Sequence, residues 1–588
     1  MLLRSYLVFL IALSIGSATV LAQDPTPSPA ATPPPAGDKQ NVEPEELKGV
    51  PAIAPNYRSE DRSLPDLGRV GVDMIAQQPL TLAEAITKAL ENNKDIEVTR
   101  KNVKIAEFDL KAARGVYEPK FTGQTFYERA TVPNISFFSP DVTSVTSDSI
   151  VGNAGVQAFV PGFGTVLNAK FNNTRLGSDN PVSIISPELS SNFSIELVQP
   201  IFRGRSFDQQ RRSIEIAKRN LSLTDTQFRQ RTIEVISNVQ RAYWDLTYAL
   251  RNLQVQRDGV KDAKDQLEHN RRLVEEGQLA PIDIVAAETQ VANFEQSVYD
   301  ALNSVGVAEN NLKNLISANR GDALWNQAIT PIDSVDLQPP VTTLAQAIDA
   351  AMQNRPELEV NQAQKDLNAI DQRYYKELKK PQIDLVASYT SAGVGGSLNP
   401  GFNNPFTRGC VENPNTEECQ NAALATQALL QSVGSTRTAF TDIFANKYPT
   451  FRVGVQFNLP LFGDKTSRAQ YGRSLVEGEK LETELAQIEQ NIQVDVRNAL
   501  QALRTAEARL RAAAIARENS VKQYESEQRK LDSGQSDIYR VLERQTALTT
   551  ARSNELRAQT ELNKAIADLQ RATGNSLKAN NVEARLRR

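Results

Sequence analysis

The chain is short of the side chains that carry most protein chemistry. Its 588 residues include one histidine, His269, two cysteines and three methionines. A metal centre or a thiol-based active site has almost nothing to be built from. Charge of one sign is missing too: 66 basic residues nearly cancel 70 acidic ones. No bulk charge therefore points to nucleic acid or to an acidic partner. Aromatics make up 6% of the chain, and Ala, Gln, Asn and Glu are abundant, which suits long thin helices better than a thick core. Beyond the N-terminus no apolar run reaches the ~18–20 residues that a helix needs to cross a bilayer.

The N-terminus is the exception. MLLRSYLVFLIALSIGSATVLAQ carries Arg4, an apolar run from Tyr6 to about Ile15, and small residues toward Ala22. This reads as a secretory signal peptide over 1–22, and no cysteine follows to take a lipid anchor. The mature chain is then exported, and any membrane passage is left to strands. DPTPSPAATPPPA opens a proline-rich arm, 23–78, expected to be disordered or wrapped on the surface.

What the chain has in abundance is itself. LTLAEAITKALENNKDIEV at 80–98 returns as TTLAQAIDAAMQNRPELEV at 342–360, aligning Leu82 with Leu344 at an offset of 262. ELVQPIFRG and FNLPLFGD repeat Pro200 and Phe202 as Pro460 and Phe462, at an offset of 260. VEEGQLAPIDIV and LDSGQSDIYRV align Gly277 with Gly534, at 257. Three collinear matches mark a tandem duplication, with repeats at 79–320 and 342–575, a connector at 321–341 and a tail at 576–588.

Each repeat reads as helix, strands, long helix, glycine tip and helix. The opening helices start at Thr81 and Thr343 and are expected to run on toward Pro119 and Pro381. FRVGVQFNLP alternates Phe451, Val453, Val455, Phe457 and Leu459 against Arg452, Gly454, Gln456 and Asn458. NFSIELVQP, QIDLVASY and, more weakly, FTGQTFY do the same. Such strands suit a transmembrane barrel with an apolar outside, or a soluble sheet with one buried face. No proline interrupts 208–275 or 464–531, which would reach ~100 Å each as single helices. GNAGVQAFVPGFGTVLNAKFNNTRLG, at 152–177, reads as a further hairpin turning at 161–164.

These motifs, in this order and present twice, resemble the outer-membrane efflux protein (TolC) family over about 79–575. The resemblance implies a mainly α chain with transmembrane β. It implies a homotrimer whose twelve-stranded β-barrel takes four strands per protomer and continues into a long periplasmic α-helical barrel. The extra hairpin at 152–177 is then expected at or beyond the extracellular rim, with a place in the barrel wall as the alternative. The role implied is a passive exit duct in the outer membrane of a diderm bacterium, part of a tripartite efflux or type I secretion system. Its partners would be outer-membrane lipid, a periplasmic adaptor and an inner-membrane pump of the resistance-nodulation-division or ABC kind. No cofactor, metal, nucleic acid or enzyme activity is implied. The rival is a periplasmic coiled-coil adaptor or scaffold without a pore.

In the family the tips close the entrance and meet the adaptor. The matching residues are Glu276, Gly277 and Gln278, and Ser533, Gly534 and Gln535, more polar than the family pattern, with Leu279 as possible compensation. Some family members carry a carboxylate pair after the second tip that rings the constriction; the matching positions here are Arg540 and Glu543, so the resemblance implies a ring from Glu543, with Arg540 opposing or pairing with it and Asp283 and Asp537 near. Pro200, Phe202, Pro460 and Phe462 mark the strand-to-helix seam. Cys410 and Cys419, in a loop of the second repeat, are expected to form a disulfide. His269 is expected to be solvated or to lie between helices.

Overall fold

A capping box opens each repeat. The Thr81 hydroxyl accepts the Glu84 N–H at 3.1 Å, and the Glu84 carboxylate accepts the Thr81 N–H at 3.0 Å. Thr343 and Gln346 repeat the exchange at 3.3 and 3.1 Å. Helix α1 (Leu82–Asn92) follows the first box and α5 (Leu344–Asn354) the second. The computed structural model describes residues 67–139, 141–335, 339–404, 410, 415–460 and 464–583. The signal peptide, the arm up to Asp66, Phe462 and the end of the tail lie outside these. The chain divides after Leu67, and the account below concerns the unit Gly68–Arg588.

The opening helices do not run through. Helix α2 (Lys94–Arg114) starts anew because Asn93 leaves helical geometry, at φ −61° and ψ 129°, and its side chain caps the N–H groups of Asp95 and Ile96. The same amide donates to the Leu315 carbonyl at 3.2 Å, so a tertiary bond fixes the break. Helix α6 (Pro356–Leu378) starts at a proline, and Arg355 before it is extended, as a residue preceding proline prefers.

Long helices α3 (Gln209–Glu275) and α9 (Lys465–Asp532) have 67 and 68 residues. Asp208 and Asp464 cap them, accepting the N–H groups of Arg211 at 2.8 Å and Ser467 at 2.9 Å. Return helices α4 (Pro281–Ile316) and α10 (Ile538–Ala572) pack along their distal halves, while α2 and α6 flank the proximal halves. The larger apolar cluster of each repeat holds Val239, Tyr243, Leu246 and Leu312 in the first and Val496, Leu503, Leu562 and Leu569 in the second. Across the α3–α10 seam run Asp245–Lys564, Arg241–Asp568 and Asp262–Arg552 ion pairs.

The strands form one antiparallel sheet in the order β2 (Lys120–Pro133), β3 (Ser144–Val160), β4 (Thr165–Ser178), β5 (Ile185–Pro200), β7 (Gln382–Leu398) and β8 (Tyr448–Asn458). Six strands stand where four were expected. The difference is the 152–177 hairpin, whose strands are paired into the middle of the sheet and do not project beyond it. β3 pairs with β2 from Lys120↔Gln157 to Pro133↔Ser144, and β4 pairs with β5 from Val166↔Val198 to Leu176↔Glu188. Its turn lies at the helix end of the sheet, opposite to the expected end. The connection from β7 to β8 is also more than a loop, holding α7 (Glu417–Val433) and α8 (Thr436–Phe444).

At the equator β1 (Asp73–Leu80) pairs in parallel with β6 (Gln327–Pro331), tying the end of the N-terminal arm to the connector. The fully buried Tyr243 hydroxyl donates to Asp333 at 2.5 Å and lies 3.0 Å from the Leu80 carbonyl. Glu309, 1% exposed, takes Arg69 at 2.8 Å, the Ile329 N–H at 2.8 Å and Lys313 at 3.4 Å. Burial pushes the Lys313 ammonium below its usual value, and Glu309 opposes that shift.

Candidate functional site: the helix tips and the sheet faces

Both tips are built on a glycine in the left-handed region. Gly277 has φ +78° and Gly534 φ +72°, with open space where a Cβ would stand. The Gly277 and Gln278 N–H groups close on the carbonyls of Val274 and Leu273 at 3.0 and 2.8 Å. Gly534 and Gln535 close on Leu531 and Lys530 at 2.9 and 2.8 Å. This is helix termination by a positive-φ residue after the last turn. Gln278 donates to Glu276 at 3.2 Å, so two polar tip residues satisfy each other.

The two tips of one chain touch. Leu279 packs on a cluster of Leu531, Ile538, Val541 and Leu542, which also takes up Ala286 and Tyr524. The apolar contact therefore sits one residue beyond the polar Glu276–Gln278 triplet. His269 lies between helices, with Nε2 3.0 Å from the Asp532 carboxylate. The Ser536 hydroxyl and the Lys530 ammonium hold Glu527 below the usual carboxylate range, which fastens the end of α9 to the second tip.

The charged residues after the tips do not form one group. Asp283 accepts the Ala280 N–H at 3.1 Å, and Asp537 accepts that of Arg540 at 3.0 Å, so each carboxylate caps a return helix. Arg540 pairs with Asp537 at 3.3 Å and not with Glu543, because the capping aspartate already lies three residues before it. Glu543 is exposed and lines a groove between α9 and α10 with Arg509 and Arg557, with a volume of about 1030 Å³.

The sheet has two unlike faces. Residues directly opposite on paired strands share a face. One row across all six strands reads Lys120, Gln157, Asn168, Glu196, Ser388 and Arg452. Another begins Gln124, Asn153, Asn172 and Asn192, with Asn172 donating to Asn192 at 2.9 Å. The opposite face reads Phe121, Val156, Ala169, Ile195, Tyr389 and Phe451. On β8 Phe451, Val453, Val455 and Phe457 are each more than half exposed. From Pro449 to Phe457 the apolar band spans ~27 Å of strand, or ~20 Å of height at a tilt near 40°, close to the outward band of a membrane barrel.

At the seam Pro200 ends β5 and Gly204, at φ +84°, turns the chain, with Phe202 half exposed between them. Pro460 follows β8. Arg211, a residue that sequence reasoning passed over, ties this region together. Its guanidinium donates to the carbonyls of Gly162 at 2.9 Å, Gly204 at 2.9 Å, Arg205 at 2.8 Å and Ser206 at 2.8 Å, and to Asp208 at 2.9 Å. The β3–β4 turn is thereby bolted to the start of α3. Only the capping pattern of Asp208 with a long donor three residues on hints at it.

At the far end Cys410 and Cys419 form a disulfide, with Cα atoms 5.7 Å apart. Helix α8 lies on the apolar face above the band. Ser391 donates to the Ile443 carbonyl at 2.8 Å, and Phe440 stacks on Phe171. Gly393 and Gly395 admit the helix backbone, since a Cβ at either would collide with the carbonyls of Ala439 or Ser435. No helix among the described residues is long and apolar enough to cross a membrane. Among them no group of three or more His, Cys, Asp or Glu side chains could hold a metal ion.

The family model described as outer membrane efflux protein matches residues 152–318 and 347–575. No curated protein sequence matches the chain. Among solved structures the chain is similar to CusC, described through its transmembrane channel formation, at 13% identity and a TM-score of 0.58, over 84% of this chain and 92% of that one. It is similar to the CmeC outer membrane channel of Campylobacter jejuni at 15% identity and 0.57, over 85% and 90%. The open state of the MtrE outer membrane channel of Neisseria gonorrhoeae gives 16% and 0.54, over 84% and 89%. At these identities the likeness is one of fold.

Proposed function

As the chain belongs to the outer membrane efflux protein family, we propose that it is the outer-membrane exit duct of a multi-component export system. Three copies assemble around one axis. Their sheets cross the outer membrane, apolar face to lipid and polar face to a water-filled lumen. Their helices carry the passage through the periplasm, a distance that suits ~100 Å helices and that no ~30 Å bilayer requires. The mature chain starts after a cleaved signal peptide, and β1, at the end of the N-terminal arm, straps on to the connector through its pairing with β6.

The observation that carries this reading is the junction of a two-faced sheet with a pair of helices of nearly equal length. A periplasmic adaptor or scaffold without a pore has no use for a sheet that leaves Phe451, Val453 and Phe457 open on one side. Transport is passive. A periplasmic adaptor meets the tips at Glu276–Gln278 and Ser533–Gln535, and an inner-membrane pump of the resistance-nodulation-division or ABC kind supplies the energy. Three copies of the exposed Glu543 offer negative charge at the entrance and favour cations there, as charged rings do in pores, whereas Asp537 is offset by Arg540. The chain contributes no catalytic group and no cofactor.

Planar-bilayer recording of the purified protein tests the proposal. Stepwise conductance is expected, larger when the tips are loosened by Leu279→Asp. A trimer correctly assembled in lipid that passes no current refutes it.

A further inference from the structure

We propose that neighbouring copies join β8 to β2, closing an eighteen-stranded barrel with six strands from each of three chains. This rests on the trimeric duct reading above and adds its wall. The two outer strands of the sheet are β2 and β8, and both are exposed almost throughout. Among the described residues neither has a strand on its outer side. In hydrocarbon such edges leave N–H and C=O groups with nothing to bind, so a membrane sheet must close.

A second copy fits both edges. β2 runs away from the helices and β8 runs back toward them, so β8 of one chain meets β2 of the next in antiparallel sense. Alternation of strand direction then holds around the whole ring, because each chain contributes an even number. The faces agree as well: Phe121, Gly123 and Thr125 of β2 share the apolar side with Phe451, Val453 and Val455 of β8. Pro133 and Pro449, which lack an N–H, lie at the same far end of these strands. They limit pairing only there, leaving 120–132 and 450–458 free to pair.

The extra hairpin cannot be shed without tearing this wall. It is hydrogen-bonded on both sides, along fourteen residues of β2 and from Val166 to Leu176 of β4. Arg211 also fixes its turn at the membrane base. With strands 4.8 Å apart and tilted about 40°, eighteen strands give a ring about 36 Å across between Cα atoms, against about 24 Å for twelve. Side chains narrow both alike, so the open cross-section is about threefold larger. The membrane section is then no sieve for bulky cargo, and selection is left to the tips.

Electron cryo-microscopy of the purified protein in lipid nanodiscs tests this directly. The expected result is a threefold ring of eighteen strands with residues 144–178 in the wall. A conducting trimer with a twelve-stranded ring and this hairpin outside it overturns the inference and leaves the duct reading standing. Failure to form any ring, with no conductance, removes both. Crosslinking gives a second readout, since the native cysteines are already paired. Phe121→Cys combined in turn with Val453→Cys, Val455→Cys and Phe457→Cys is expected to link separate chains in at least one pairing. Phe121→Cys with Ile195→Cys is expected to stay unlinked, because three strand spacings, about 14 Å, separate them. A strong link within one chain in that last pair would mean that β2 lies beside β5, and the inference would fall.

Discussion

Arg211→Ala should loosen the β3–β4 turn while leaving the rest of the sheet in place. The guanidinium serves the carbonyls of Gly162, Gly204, Arg205 and Ser206 and the Asp208 carboxylate, and its side chain is 18% exposed. A hydrogen bond to a charged group contributes about 1.5–3 kcal/mol net, but bonds that share one donor group do not add. Water also replaces part of what is lost at this exposure. A total near 3 kcal/mol is the reasonable figure, which is about a hundredfold in a local opening equilibrium at 1.4 kcal/mol per decade. Hydrogen exchange read by mass spectrometry in nanodiscs should show amides of 157–168 exchanging about a hundredfold faster. Those of 144–150, at the far end of β3, should change by no more than a few-fold. Arg211→Lys should recover only part, because an ammonium is a point donor and lacks the planar fork that spans Gly162 and Gly204. Unchanged exchange at 157–168, or a uniform rise along the sheet, would refute the reasoning.

Glu309→Ala should strip the buried Lys313 and Arg69 of their carboxylate and cost about 3–5 kcal/mol; the loss should appear as a lowered midpoint in thermal unfolding followed by circular dichroism. Glu309→Gln should cost less, because it can still accept the Ile329 N–H. Glu527 is held below its ordinary value by Ser536 and Lys530, so its contribution is full above the usual carboxylate range and is lost as pH falls through the depressed value. Protection of the 533–537 amides, taken relative to their intrinsic exchange rates, should therefore fall on acidification below about pH 4.5, and Glu527→Gln should flatten that dependence. Gly393→Val should push α8 off the sheet, since the Ala439 carbonyl occupies the space of a Cβ; quicker proteolysis within 436–447, with conductance retained, is the expected result.

Much of this architecture could be read from residues alone. The duplication, the long helices and the glycine tips come from local signals, and the faces of the strands come from alternation. Partners were harder. A period of two says that residues 152–177 have two faces, but it is the same at a rim as in a wall. What seats the hairpin is pairing with β2 and β5 on either side, and what holds its turn is a guanidinium 49 residues away, at which only the Asp208 cap hints. The break at Asn93 was hidden for a related reason, because its amide is held by Leu315. Helix α8 left a better trace: glycines at 393 and 395 within a strand signal a close backbone approach. At the tips, residue order alone leaves Arg540 either opposing Glu543 or pairing with it, and it is Asp537, both a cap and an ion-pair partner, that takes it.

The long helices of 67 and 68 residues have return helices of 36 and 35. Each repeat thus works as a ruler cut against the other, to a tolerance of one residue or ~1.5 Å. Leu279 meets Leu531 and Ile538 only while both rulers read alike. Four residues added to α3 alone would lower one tip by ~6 Å and turn its apolar stripe by about 40°, breaking that meeting. Length changes in such a chain must be inherited as matched pairs, so a deletion in one repeat is expected to be rescued by its counterpart in the other.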